Sequence, residues 1–341
     1  MDRRATLAMT KNRRFGNLHI YKFMTLRINL SFDNTKLEPW IAGFQALLPA
    51  GTVVDRWSPG APGADHAVVW APSQQFVDEQ SACLTPQGLP RLKAMFTMCA
   101  GVDALMKLTI PPHLKVVRLN DAGMSAQMAE FVCHALIRHF RDLDGYEADM
   151  AAGKWSYRKP RNRADYPVGV MGMGVLGERV AQAVAQFDFP VVGWSRSPKQ
   201  VDGVQCFAGA DQFDDFLQAS KVLVCLLPLT PDTQDILCHR NLSKLQPGGY
   251  VINVARGGHL VDDDLIALLG SGHLAGATLD VFRTEPLPAG HAFWQHPKIA
   301  ITPHTSARTL RDETIAQIAG KIMALERGEP IAGIVDAVRG Y

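Results

Sequence analysis

Three segments of this 341-residue chain place chemistry-bearing side chains directly after short apolar runs. Asn253-Val254-Ala255-Arg256-Gly257-Gly258 offers a guanidinium, Asp280-Val281-Phe282-Arg283-Thr284-Glu285-Pro286-Leu287-Pro288 a carboxylate fixed among prolines, and Thr302-Pro303-His304-Thr305-Ser306 an imidazole. A guanidinium beside two glycines can hold a carboxylate through paired hydrogen bonds and polarise an adjacent carbonyl. An imidazole exchanges protons near neutral pH. Each residue also has an ordinary explanation: Arg256 as a surface charge, Glu285 as a loop carboxylate, His304 as one of 11 histidines. Their recurrence at successive strand ends favours chemistry, because open α/β sheets bind ligands outside the carboxyl ends of their strands.

The element that would set a cofactor beside them begins at Pro167. Residues 167–171 form an apolar run, and Gly172-Met173-Gly174-Val175-Leu176-Gly177 follows it into a helical pattern through Val180, Ala183 and Val184. Gly172 allows a tight turn, Gly174 lets backbone approach a pyrophosphate, and Gly177 lets the helix pack on its strand. The phosphates would meet free N–H groups and the positive end of the helix dipole. A second strand, Val191-Val192-Gly193-Trp194, ends in Ser195-Arg196-Ser197-Pro198-Lys199. Ribose hydroxyls call for an acidic residue at this point, whereas a 2′-phosphate calls for a cation and small donors. Arg196, Ser195 and Ser197 fit the phosphate, so NADPH is the expected cofactor and NADH a weaker one.

Beyond the glycine turn, strands are expected at 222–227, 250–254, 276–282 and 299–303, with helices near 211–219 and 262–269. This alternation predicts a doubly wound parallel sheet. Upstream, apolar runs at 26–30, 67–70, 94–98 and 115–119, with helical or turn-like stretches at 39–48 and 87–92, predict a smaller α/β domain. A helix over 125–141 follows, with Ser125 as the expected N-cap. The polar, basic stretch 141–166 reads equally as a solvated connection or as an arm that contacts a second subunit. A final amphipathic helix over 307–327 should return to the first domain. The expected division is an N-terminal extension at 1–23, a substrate domain from 24–122 and 306–341, and an inserted dinucleotide domain at 123–305, with a ligand cleft between the two domains.

Composition narrows the setting. With 35 Lys and Arg against 33 Asp and Glu, the net charge of +2 gives no reason to infer nucleic acid, and much of the excess lies in residues 1–23. That segment lacks the apolar core of a secretory signal and reads as a disordered extension or an over-long start. No apolar run is long enough to cross a bilayer. The six cysteines lack metal-type spacing, so reduced thiols, a cytoplasmic location and no metal site are expected.

These motifs together resemble the NAD(P)-dependent D-2-hydroxyacid dehydrogenase family. The similarity spans nearly everything after Met24 and includes 172–177, Leu227-Pro228-Leu229-Thr230-Pro231-Asp232-Thr233, 253–257, 280–288 and Pro303-His304. The segments 120–130 and 335–341 look most like its glyoxylate/hydroxypyruvate reductase A branch. The resemblance implies a Rossmann domain inserted in a flavodoxin-like one, a homodimer, and reduction of small 2-keto acids. It implies Arg256 as the substrate ligand, His304 as proton donor and Glu285 as its orienting partner. Backbone amides of 100–103, including Gly101 and Val102, would hold the substrate carboxylate. Leu227 and Pro228 would border the adenosine, and Val254, Ala255 and Asp280 would complete the cofactor contacts. Thr305 and Ser306 depart from the small residues usual after this histidine, which leaves the preferred acid open. A nucleotide-sensing regulator, or a dehydrogenase of other substrate preference, is the competing expectation.

Overall fold

The computed structural model describes residues 25–32, 36–99, 101–102 and 105–336. The extension expected at 1–23 lies outside these residues, as do Ala100, Asp103 and the last five residues of the chain.

The first sheet contains β1 (Arg27–Ser31), β2 (Val53–Arg56), β3 (His66–Val69), β4 (Ala94–Thr97) and β5 (Lys115–Val117), flanked by α1 (Glu38–Leu47) and α2 (Gln74–Ser81). Its strands are all parallel, in the order β2-β1-β3-β4-β5, which is the flavodoxin-like order. The chain then forms α3 (Met124–Phe140) and α4 (Leu143–Ala151) before entering the second sheet.

That sheet comprises β6 (Val168–Met171), β7 (Val191–Ser195), β8 (Gln205–Ala208), β9 (Val222–Cys225), β10 (Gly249–Asn253), β11 (Leu274–Leu279) and β12 (Ile299–Ile301). Between them lie α5 (Val175–Ala185), α6 (Phe213–Gln218), α7 (His239–Leu242) and α8 (Asp262–Gly270), and α9 (Arg311–Glu326) closes the order. The strands are again parallel, in the order β12-β11-β10-β9-β6-β7-β8. The order reverses between β9 and β6, the switch point at which doubly wound sheets bind nucleotides. β6, β9 and β10 are buried along their whole length, because helices cover both faces.

Helix faces follow the 3.6-residue period. On α5, Gly177, Val180, Ala181 and Val184 are buried. On α9, Ile315, Ile318, Ala319 and Ile322 are buried against β1 and α1 residues such as Ile28 and Phe44. Each isoleucine so covered contributes about 1.5–3 kcal/mol. The last helix therefore packs on the first sheet, while α3 packs with Val180 and Val184 of α5.

Several local expectations need correction. Ser125 is not the N-cap of α3; Gly123 is, in the left-handed region, and Ser125 donates from its N and Oγ to the Asp121 carboxylate. The last helix begins at Arg311, not 307, because the Leu310 N–H bonds Ala122 O where the chain crosses back. The 87–92 stretch makes turns, and the 141–166 segment contains α4. No disulfide joins any of the six cysteines, and burial pushes the Cys225 thiol up to about 12. Among the described residues no helix is long and apolar enough to cross a membrane.

Candidate active site

The strand order lines up the sequence motifs along one edge. Read across the carboxyl ends from β12 to β7, the sheet presents His304, then Asp280 and Glu285, then Arg256, then Leu227 and Pro228, then Gly172 to Gly174, and finally Ser195 to Ser197. Neighbouring strands lie about 4.8 Å apart, so the first three loops share a span of about 10 Å.

Within that span the loops are bonded to one another. His304 Nδ1 meets Glu285 Oε2 at 2.8 Å, and both side chains reach solvent, at 45% and 36% exposure. A carboxylate only accepts, so the bonding hydrogen sits on Nδ1 and Nε2 is left as the working atom. Glu285 Oε1 accepts the Phe282 N–H at 2.9 Å, fixing the carboxylate from its other side. His304 adopts a φ of 53°, a left-handed backbone held by its N–H bonds to Asp280 O at 2.8 Å and Thr302 O at 3.0 Å. Asp280 is fully buried, and its carboxylate accepts Thr302 Oγ1 at 2.6 Å and the N–H groups of Thr305 and Ser306 at 2.8 Å each. One buried carboxylate thus shapes the whole His304 loop.

Arg256 is half-buried beyond β10, and its Nη1 donates to Ala255 O at 2.7 Å. Asn253, completely buried, donates from Nδ2 to Arg256 O at 3.0 Å and accepts Ala255 N–H on Oδ1 at 3.2 Å. A Cβ on Gly257 would fall 1.8 Å from the Phe282 carbonyl carbon, so only glycine lets the arginine turn press on the Glu285 loop. Asn253 and His259, which also faces the Arg256 carbonyl, were given no role by the sequence. Asn253 stood inside the arginine motif, a usable signal; His259 carried none.

At the glycine turn, Gly172 has a φ of +101°, and a Cβ there would lie 2.7 Å from Leu226 O. A Cβ on Gly177 would lie 1.9 Å from Gly172 O, whereas one on Gly174 would meet nothing within 4 Å. Gly174 also caps α5 with no side-chain hydrogen bond, so the first N–H groups of Val175, Leu176 and Gly177 precede the first helical bond, from Glu178 N to Gly174 O. Open space before unsatisfied helix donors fits a pyrophosphate. Met173, Leu227, Val254 and Ala255 are buried in the core, leaving mainly backbone for a ligand, while Val175 and Pro228 are exposed. Arg196 and Ser197 are exposed, but the Ser195 hydroxyl donates to Ser197 O at 2.8 Å, so its hydrogen is already engaged.

Gly101 and Val102 follow β4 in the other sheet, with Val102 buried and its carbonyl accepting from Leu105 and Met106. Where the chain passes between sheets, Gln127 donates to Arg308 O at 2.8 Å and accepts Arg308 N–H at 3.3 Å.

The family model described as "D-isomer specific 2-hydroxyacid dehydrogenase, NAD binding domain" matches residues 133–306, just over half of the chain. The chain belongs to the D-isomer specific 2-hydroxyacid dehydrogenase family. Among curated relatives of this dehydrogenase, glyoxylate/hydroxypyruvate reductase A of Serratia proteamaculans is 44% identical over 311 residues, covering 89% of this chain and 96% of the relative. Its counterpart from Klebsiella pneumoniae is 42% identical over 310 residues, with 89% and 96% covered. Among solved structures, a D-isomer specific 2-hydroxyacid dehydrogenase of Xanthobacter autotrophicus in complex with NADPH and MES superposes with a TM-score of 0.85 at 37% identity, covering 93% of this chain and 100% of that one. An NADPH-dependent glyoxylate/hydroxypyruvate reductase of Sinorhizobium meliloti, in complex with NADP and sulfate, gives 0.82 at 33%, with the same coverage. The dehydrogenase fold expected from the sequence, two parallel α/β sheets of flavodoxin-like and Rossmann order, is the observed one.

Proposed function

We propose that this dehydrogenase reduces small 2-keto acids with NADPH, converting glyoxylate to glycolate and hydroxypyruvate to D-glycerate. The observation that carries the proposal is the bonded His304–Glu285 pair, on the two loops next to that of Arg256 along the edge that also presents the glycine turn. The curated relatives' names and the NADPH and NADP complexes of the two solved structures support the same reading.

In this reading Gly172, Met173, Gly174, Val175, Leu176 and Gly177 hold the pyrophosphate through backbone N–H groups. Arg196 pairs with the 2′-phosphate, with Ser195 and Ser197 beside it, and Leu227, Pro228, Val254 and Ala255 complete the cofactor bed. Asp280, fully buried and bonded to the His304 loop, supports that bed from behind instead of facing the cofactor as the sequence suggested. When bound, the reduced nicotinamide supplies the hydride for the carbonyl carbon. Arg256 takes the substrate carboxylate and stabilises charge developing on the carbonyl oxygen. Backbone amides at Gly101 and Val102 hold the carboxylate from the other sheet. His304 passes the proton on Nε2 to that oxygen while Glu285 keeps the ring oriented through Nδ1.

The wider setting follows the same reading. Residues 24–122 and 306–341 form the substrate domain and 123–305 the cofactor domain, with substrate in the cleft between. The protein works as a homodimer, a proposal supported by Trp155 and Tyr157 standing 103% and 82% exposed in the 141–166 segment. Six cysteines without a disulfide support a cytoplasmic location. The deciding experiment follows oxidation of NADPH and NADH by purified protein across a panel of 2-keto acids. Oxidation with glyoxylate and hydroxypyruvate, faster with NADPH, is expected. Protein that binds NADPH yet oxidises it with none of the panel would be a nucleotide sensor instead.

A further inference from the structure

His259 closes the 3-10 turn Gly257–His259 behind Arg256, and it is completely buried. Leu260 follows it, and the Leu237 N–H bonds its carbonyl at 2.8 Å. An apolar side chain would fill this place without the desolvation cost that a buried imidazole carries. The ring compensates by lying between two backbone carbonyls, with Nδ1 3.1 Å from Arg256 O and Nε2 3.3 Å from Pro228 O. Carbonyl oxygens only accept, so a neutral ring donates to one of them at a time and an imidazolium to both.

The two carbonyls belong to different loops. Arg256 O lies behind β10, where it also accepts from Asn253 Nδ2. Pro228 O lies behind the neighbouring β9, where it also accepts Thr233 Oγ1 at 2.7 Å. Around the ring the loops are stitched further: Asp235 N–H bonds Gly258 O at 3.0 Å, and a Cβ on Gly258 would meet Leu229 at 3.0 Å.

We propose that His259 is a positioning residue that ties the Arg256 turn to the Pro228 loop, so that one buried ring sets the substrate guanidinium relative to the cofactor bed. The inference rests on the functional reading above for what the two loops hold, and on the geometry alone for the tie itself. It acts through backbone, and the side chains of Asn253 and Thr233 hold the same two carbonyls from their other sides.

Three substitutions separate the two halves of the tie. His259→Leu keeps the bulk and removes both ring nitrogens. His259→Asn keeps an N–H near the Nδ1 position, and His259→Gln keeps one near Nε2. In the folded proteins, His259→Leu should raise the KM for glyoxylate and the KM for NADPH, each about tenfold. His259→Asn should recover the glyoxylate KM and His259→Gln the NADPH KM. Should His259→Leu not fold, the two amide variants carry the comparison between themselves. The tie is overturned if His259→Leu leaves both KM values within about twofold of the parent, or if the two amide variants are indistinguishable. If the parent turns over no 2-keto acid, the functional reading falls, and the tie is judged on ligand-free protein by amide hydrogen exchange. His259→Leu should then speed exchange at both 226–237 and 254–261, and unchanged exchange there sinks it.

Discussion

His304 and Arg196 stand at opposite ends of the carboxyl edge, and their tests differ accordingly. Removing the imidazole by His304→Ala should lower kcat by about 100-fold or more while leaving NADPH binding near the parent value, as steady-state kinetics with a fluorescence titration would reveal. Near-normal turnover would reject His304 as the acid. Replacing Arg196 with Asp puts a carboxylate where a 2′-phosphate is expected, so the Kd ratio of NADPH to NADH should rise about tenfold or more. An unchanged ratio would remove Arg196 from the phosphate site. The identities of these side chains were legible in the chain because guanidinium and imidazole have few rivals for their chemistry. What the chain did not reveal was who holds them: Asp280 gathers three donors from the His304 loop, partners that only folding brings together, while Asn253 pins Arg256 O from within the arginine motif itself.

Elements were legible where burial is complete and blurred where it is not. The wholly buried β6, β9 and β10 gave continuous apolar runs, whereas β2 and β8 are partly exposed and left little pattern. The α4 helix buries no residue, so it offered no periodic face to read. The β6–α5 turn supplies a sharper test of element geometry. Gly177→Ala drives a Cβ onto the Gly172 carbonyl, and this backbone clash should cost about 1–3 kcal/mol of stability along with NADPH affinity. Gly174→Ala meets only open space, so thermal unfolding should match the parent within about 0.5 kcal/mol while NADPH binding weakens. Equal melting losses for both variants would contradict this division of labour between a packing glycine and a ligand-facing one.

Over the whole molecule, the return of α9 to the first sheet is secured at its last turn by a cluster of charges. Glu326 accepts His66 Nε2 at 2.8 Å and Lys93 Nζ at 2.7 Å, joining the end of α9 to β3 and to the residue before β4. The hydrogen bond from buried His66, with Lys93 helping, holds the Glu326 carboxyl down to about 2 against an ordinary value of 4.5. A carboxyl lowered in the folded state stabilises fully above its unfolded pKa, and that contribution is lost as pH falls from 4.5 to about 2. Glu326→Gln should therefore cost about 1–3 kcal/mol near neutral pH and flatten the acid limb of a melting-temperature profile. A parallel downward shift at every pH would show that the cluster does not govern acid stability. Before any folding, the chain already determined the alternation of strands and helices, the nucleotide turn and the reactive side-chain types, because these depend on local period and chemical identity. Only the tertiary structure decided which strand lies beside which, and so which loops meet: Arg256, Glu285 and His304 become neighbours because β10, β11 and β12 pair in register, a relation between distant segments that local spacing does not encode.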